Sequence, residues 1–444
     1  MSDDPVPPPT VPGWHRRAPA TRRLPLHTRI FIGMAAGAIL GLLANLIWGD
    51  SAGLQAFVAN VTYPAGQIFL RLIFMVVIPL VICAIILGVA ELGDPRHLGR
   101  VGLKTLLFTV ILSSISVVIG VVFANFVRPG AGMSPEARAA LTGLMGRTGA
   151  PVSVPPAKSA LQILLDLIPE NPVEAMVNAF RGDMIAVMVF ATVLGVALTL
   201  AERKRIEPLL QVLQALFDGV MTVIDFAMRL APYGVAALLF TMTARSGLDV
   251  LRRLALYVVT VVAALALHQF VTYALVLKYV AGYPPREFYR RIREVMITAF
   301  STSSSNATLP TTLRVAEQDL GIPRSIGGFV LTLGSTLNQN GTALYEGVTV
   351  LFLAQFFGID LSLGQQVIVV LLSILAGIGT AGVPGGSLPL VTALLVTVGV
   401  PPEGIGIILG VDRILDMCRT VLNVTGDLTV AACVARSEGH ILKQ

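Results

Sequence analysis

Charge is scarce in this chain. Asp, Glu, Lys and Arg together make up 13% of 444 residues, against 55% apolar ones. Cysteine is scarcer still: Cys83, Cys418 and Cys433 each sit in an apolar stretch, which excludes a disulfide framework. The five histidines stand in no metal-ligand spacing, and neither a Ser-His-Asp set nor a phosphate-binding loop is visible. An enzyme is therefore not expected, no cofactor is implied, and nothing points to nucleic acid as a partner. In their place are long apolar runs, several near or beyond the ~18–20 residues that cross a bilayer. The composition describes a polytopic, all-helical protein with the lipid bilayer as its solvent.

Residues 1–26 are rich in Pro, Arg and Asp, bury little apolar surface, and read as a disordered tail without the apolar core of a signal peptide. Spans follow at 28–48, 60–91, 103–128, 173–201, 208–243 and 253–282. Arg16, Arg17, Arg22 and Arg23 favour a cytoplasmic N-terminus. With that end inside, the inner loops gather Arg96, Arg100 and Lys104, then Arg203, Lys204 and Arg205, then Arg286, Arg290, Arg291 and Arg293. Arg245, Arg252 and Arg253 are exceptions on the outer side, and the Pro/Gly/Ser-rich 129–172 reads as a long external loop. In the third span the polar pair is Ser113 and Ser114.

After Pro285 the pattern changes. Residues 287–318 hold two half-length apolar pieces around S-T-S-S-S-N-A-T-L-P, too short to span and suited to a re-entrant hairpin whose tip offers amides and hydroxyls. Residues 325–357 form a span interrupted by N-Q-N-G-T at 338–342, where unwound backbone frees carbonyls for a cation. Residues 363–400 repeat the half-span design around G-I-G-T-A-G-V-P-G-G-S. The two interruptions fall at corresponding places in successive units, 287–357 and 363–436, the pattern that marks a transporter's binding site.

The last apolar segment carries D-R-I-L-D-M-C-R-T-V-L-N-V-T-G-D at 412–427. At about 100° per residue, Asp416, Arg419, Thr420, Asn423 and Asp427 lie on one helical face, with Asp412 a turn earlier. A charge at the bilayer centre costs roughly 2.5 kcal/mol or more, so the stripe faces an enclosed or wet cavity. A lone structural pair of Asp416 with Arg419 needs fewer polar groups than are present. Arg419 suits a carboxylate, Asp416 an ammonium, Thr420 and Asn423 orientation, and Asp427 a hard cation. Together they describe a receptor for a small zwitterion bearing an extra carboxylate.

The pattern D-x-x-x-D-x-x-R-T-x-x-N-V-x-G-D closely resembles the last helix of the glutamate/aspartate transporters, the dicarboxylate/amino acid:cation symporters. S-S-S-x-x-T-L-P at 303–310, A-L-Y-E-G-V at 343–348 and G-T-A-G-V-P-G at 379–385 resemble the same family, and the likeness runs from about Leu26 to Glu438. It implies eight transmembrane helices with two re-entrant hairpins at 287–318 and 363–400, inverted repeats and an elevator-type movement. It further implies a homotrimer in the plasma membrane, the inner membrane of a bacterium. Residues 27–252 would be mainly scaffold, and 253–438 with span 103–128 the transport domain. The function implied is symport of L-glutamate or L-aspartate driven by a sodium or proton gradient. Ser304, Ser305, Thr342, Val383, Gly385, Asp416, Arg419, Thr420 and Asn423 would contact the amino acid, with the Gly382–Gly386 tip as a lid. Gly334, Asn338, Asn423 and Asp427 would hold one sodium ion, and Thr336, Gly377 and Thr380 another. Asn340 stands where the family usually has aspartate, and Leu112 where it often has a hydroxyl residue, which points to an impaired third site. Asp412, Asp416 and Glu346 are then the proton candidates. Ser303 stands where some members carry an arginine.

A C4-dicarboxylate carrier of the same family is the nearest alternative, although Asp416 would be wasted on a substrate without an ammonium. A neutral amino acid carrier is another. A channel would need polar faces on several helices, and a non-transporting receptor would bind without flux in liposomes.

Overall fold

The computed structural model describes residues 26–49, 51–91, 99–132, 168–179, 183–380 and 385–443. The tail 1–25, most of the 129–172 connection and Val383 with its neighbours lie outside the described residues. Every assigned element among the described residues is helical. The principal helices are α1 (Leu26–Trp48), α2 (Tyr63–Phe74), α3 (Val77–Glu91), α4 (Gly99–Val127), α5 (Met184–Leu200), α6 (Arg203–Ser246) and α7 (Leu248–Leu267). The C-terminal third adds α8 (Arg293–Thr302), α9 (Ser305–Gln318), α10 (Arg324–Leu337), α11 (Asn340–Phe357), α12 (Leu363–Gly379), α13 (Leu388–Thr397) and α14 (Ile405–Ser437). Residues 60–91, expected as one span, are divided at Met75 and Val76.

Among the described residues, five helical stretches are long and apolar enough to cross a membrane: Thr28–Trp48, Ala52–Ala90, Gly99–Val127, Lys204–Arg245 and Leu248–Ala281. The elements that build the C-terminal third are too short or, in α11 and α14, too polar to meet that standard alone. Their polar atoms are instead enclosed by protein: α11 is buried along nearly its whole length, and α14 likewise.

One core cluster joins α14, α11, α7 and parts of α6 and α4, while a second joins α3 to α5. The first encloses the polar stripe. At the periphery α1 packs on α6 through Gly33, Gly37 and Gly41. A Cβ at Gly33 would meet the Pro232 carbonyl oxygen at 2.2 Å, and one at Gly37 that of Ala236 at 2.2 Å. Backbones pack this closely in membranes where small residues recur every four positions. Away from this seam α1 exposes the apolar side chains Ile39, Leu40, Leu43 and Ile47.

At one end the C-terminal segment is strapped down. Glu438 pairs with Lys104 at 2.6 Å and Arg100 at 3.0 Å, tying the start of α4 to the end of α14. The Lys443 amide donates to the Leu320 carbonyl at 3.0 Å, and Tyr283 Oη donates to the Lys443 carbonyl.

Candidate functional site

The site grows from α14. Asp412, Asp416, Arg419, Thr420, Asn423 and Asp427 are all buried on it. Arg419 is 2% exposed and donates from Nη1 to Asp412 Oδ1 and from Nε to Asp416 Oδ1, each at 3.0 Å, with Nη2 2.9 Å from the latter oxygen. Tyr345, from α11, donates to Asp412 Oδ1 at 2.8 Å, and its ring centre lies 4.3 Å from the guanidinium carbon. Arg419 is thus held in one place by two carboxylates and an aromatic face. The simple buried pair does occur, but as part of a larger polar assembly.

Two helix interruptions supply the opposite wall. α8 ends in Ser303, whose φ of 51° reverses the chain, and Ser304 caps α9 by accepting from the Ala307 amide at 3.2 Å. Ser304 Oγ thus serves the helix start, while Ser303 and Ser305 line the cavity. Between α10 and α11 the helix is broken at Asn338 and Gln339. Gln339 Oε1 accepts from Asn423 Nδ2, which also donates to Thr342 Oγ1 at 3.1 Å, while Asn423 Oδ1 accepts from the Gly341 amide at 2.7 Å.

The second hairpin closes the enclosure. Its Gly385 amide donates to Asp416 Oδ2 at 3.2 Å, and Gly385 has φ 77°, a conformation glycine adopts without strain. The cavity so formed is lined by Ser305, Thr342, Asp416, Arg419, Thr420 and Asn423, all expected, and by Thr380, expected as a cation ligand. Ser303, Gln339 and Ser387 complete it and were not foreseen. Ser303 and Ser387 hydroxyls have no partner among the described residues, so they remain available to a ligand. The free volume is about 10 Å³, about one water.

Around Asp427 a second polar group forms. Asn338 Nδ2 donates to Asp427 Oδ1 at 2.8 Å, and a Cβ on Gly334 would lie 2.6 Å from that same oxygen. Asn338 Oδ1 is buried without a partner among the described residues. A carboxylate without a cationic partner, beside an unclaimed amide oxygen, is a donor set that fits a hard cation. Asn423 turns the other way, towards Gln339 and Thr342. Gly377 lies against the break, a Cβ there falling 3.5 Å from the Gln339 carbonyl oxygen, while Thr336 is only half-buried and lines neither group.

A third group lies deeper and is neutral. Asn340 accepts from Ser113 Oγ, donates to Tyr273 Oη at 2.9 Å, and accepts at its carbonyl from Ser116 Oγ at 2.7 Å. Leu112, next to Ser113 on α4, is buried at 1% exposed. Ser114, expected to pair with Ser113, is partly exposed and donates to the Val110 carbonyl, so the inward pair is Ser113 and Ser116. Among the proton candidates, Asp412 and Asp416 stand in ion pairs, whereas Glu346 is fully buried with neither oxygen partnered among the described residues.

The model of the sodium:dicarboxylate symporter family matches residues 26–437. The chain belongs to this family. It is 35% identical over 415 residues to a proton/sodium-glutamate symport protein of Bacillus subtilis, covering 93% of each chain. It is 34% identical over 412 residues to a proton/glutamate-aspartate symporter of Escherichia coli, covering 92% of each. It is also 31% identical over 434 residues to a C4-dicarboxylate transport protein of Rhodospirillum rubrum, covering 97% of this chain and 92% of that one. Family and apolar helices together make this symporter-family chain an integral membrane protein.

Proposed function

We propose that this chain is a secondary carrier that brings L-aspartate or L-glutamate into the cell together with cations. The observation that carries the reading is the convergence of both hairpins and the α11 break on the buried Asp412–Arg419–Asp416 assembly. Arg419 takes the side-chain carboxylate by exchanging one of its internal partners, Asp416 takes the ammonium, and Thr420 and Asn423 complete the amino acid contacts. Ser305 and the backbone at Val383 and Gly385 take the α-carboxylate, and the tip of the second hairpin is the lid.

Asp427 with Asn338 and Gly334 holds one sodium ion, and carbonyls near Gly377 and Thr380 a second. The deep group offers no anionic ligand, because Asn340 has its polar atoms engaged by neutral partners. A cation there is unfavourable in a low-dielectric interior. Glu346 is the proton carrier we favour, because a carboxyl buried without partners carries charge at high cost. The carrier therefore uses fewer sodium ions than relatives with all three sites, and a proton in addition.

The same reading extends to architecture. The chain crosses the membrane eight times, with its N-terminus in the cytoplasm of a bacterial inner membrane, and three copies assemble. Residues 27–252 form most of a fixed scaffold, and 253–438 with span 103–128 move as an elevator. Uptake of radiolabelled aspartate into proteoliposomes, with sodium and proton gradients imposed one at a time, tests the core of the proposal. Accumulation that needs sodium and rises with an inward proton gradient is expected. Binding without flux would overturn the carrier reading, and full activity in rigorously sodium-free buffer would overturn sodium coupling.

A further inference from the structure

Arg413 lies on α14 three residues before Asp416, one step outside the polar stripe. It does not line the cavity, yet its Nη1 reaches Asp416 Oδ2 at 3.4 Å with the side chain 15% exposed. The same oxygen accepts from the Gly385 amide at the tip of the second hairpin. The other oxygen, Oδ1, belongs to Arg419 at 2.9 and 3.0 Å. Asp416 is thereby shared between a short, doubly bonded guanidinium and a longer, singly bonded one. The four charges Asp412, Asp416, Arg413 and Arg419 sum to zero without any ligand.

A substrate ammonium added to this set would find Asp416 Oδ2 already claimed by Arg413. The 3.4 Å contact is the weaker of the two ion pairs and the one that a small cation can replace. When the ammonium leaves, Arg413 returns, and Asp416 is never left as a lone buried charge beside the hairpin tip. Without Arg413, Asp412 and Asp416 would share the single guanidinium of Arg419, leaving the empty site with one buried negative charge in excess and Asp416 Oδ2 with only the Gly385 amide, an unfavourable arrangement.

We propose that Arg413 is a positioning residue that takes the place of the substrate ammonium on Asp416, so that the empty carrier can close its second hairpin and return across the membrane. This rests on the proposed transport of acidic amino acids. It separates two kinds of flux. Exchange of internal for external aspartate uses only the loaded carrier, whereas net uptake also requires the empty one to return.

The experiment compares both fluxes in proteoliposomes for the wild type, Arg413→Ala and Arg413→Lys. Vesicles preloaded with unlabelled aspartate report exchange, and empty vesicles under the coupling gradients report net uptake. Arg413→Ala is expected to lower net uptake at least tenfold more than exchange, and Arg413→Lys to restore much of the difference by keeping the charge. Equal losses of both fluxes, or unaltered net uptake, would overturn this role while leaving the carrier reading intact. Absence of exchange in the wild type would overturn the proposed function and this inference with it. A fluorescence-detected chromatography profile matching the wild type identifies variants that are folded.

Discussion

Tyr345 holds Arg419 and Asp412 together: its hydroxyl donates to the carboxylate at 2.8 Å while its ring lies 4.3 Å from the guanidinium carbon. One side chain therefore fixes both ends of the ion pair on which substrate choice depends in the proposed reading. The two contacts are separable by mutation. Tyr345→Phe keeps the ring and removes a hydrogen bond to a charged group, which costs about 1.5–3 kcal/mol. Tyr345→Leu also removes the cation–π contact, about 2 kcal/mol when desolvated. Calorimetric Kd values for aspartate are expected to rise by at least tenfold in the first variant and further in the second. Identical Kd values in the two would show that the ring contributes nothing.

Removing the guanidinium itself is more severe. Arg419→Cys leaves Asp412 and Asp416 without their principal partner, and truncating a buried pair costs about 3–5 kcal/mol. Acidic amino acid uptake is expected to fall more than a hundredfold, with neutral amino acids tested as replacement substrates. Wild-type-like aspartate uptake would remove Arg419 from the binding role.

Cation dependence divides between Asp427 and Asn340. Asp427→Asn removes the only carboxylate of the Asn338 group, and half-maximal sodium is expected to rise at least about tenfold, equivalent to about 1.4 kcal/mol. Asn340→Asp does the reverse at the deep group. Ser113 keeps a proton to donate, but the Asn340 donation to Tyr273 is lost, so the new carboxylate needs a cation for balance. The expected result is a steeper sodium dependence of uptake, read as a larger Hill coefficient. An unchanged slope would show that a carboxylate at position 340 does not by itself restore a cation site there.

Glu346→Gln preserves shape and removes the exchangeable proton. Uptake at saturating sodium should lose its dependence on an imposed pH gradient, while sodium activation persists. A pH response that survives the substitution would shift the proton role to another group.

Outside the membrane, the hydrogen bond from Lys104, aided by Arg100, holds the Glu438 carboxyl below its ordinary range. A depressed native value means that the pair stabilises the fold fully above the unfolded value of about 4.3 and fades as pH falls through the lower native one. The Tm of Glu438→Gln in detergent should therefore lie slightly below that of the wild type near neutrality, with the gap closing in acid. A constant gap across that range would mean that the charge is not responsible.

Much of this was legible beforehand for physical reasons. Apolar runs mark helices, and polar residues inside them mark breaks, so the interruptions at 303–304 and 338–339 fall within the expected hairpin tip and unwound segment. The α14 stripe was legible because helical period and burial cost act together. Other features depend on direction. Arg413 lies one residue from the stripe, and nothing in its spacing reveals that a flexible guanidinium reaches back to Asp416. Ser116 rather than Ser114 faces inward because α4 presents Thr105, Thr109, Ser113, Ser116 and Gly120 to the protein, a choice set by how the helix is rotated. Gln339 falls within the N-Q-N-G-T interruption, but its place in the cavity follows from a break that turns its side chain towards Asn423.

The glycine seam between α1 and α6 has a consequence for how the chain tolerates change. Positions 33 and 37 meet backbone carbonyl oxygens at 2.2 Å, and position 41 meets the Thr243 hydroxyl at 2.2 Å, so even a single methyl group has nowhere to go. Ile39, Leu40, Leu43 and Ile47 are exposed apolar side chains on which no packing within the chain imposes a shape. A saturation library across this helix would therefore yield a comb: positions 33, 37 and 41 admitting one amino acid, and the exposed positions 39, 40, 43 and 47 accepting almost any greasy substitute.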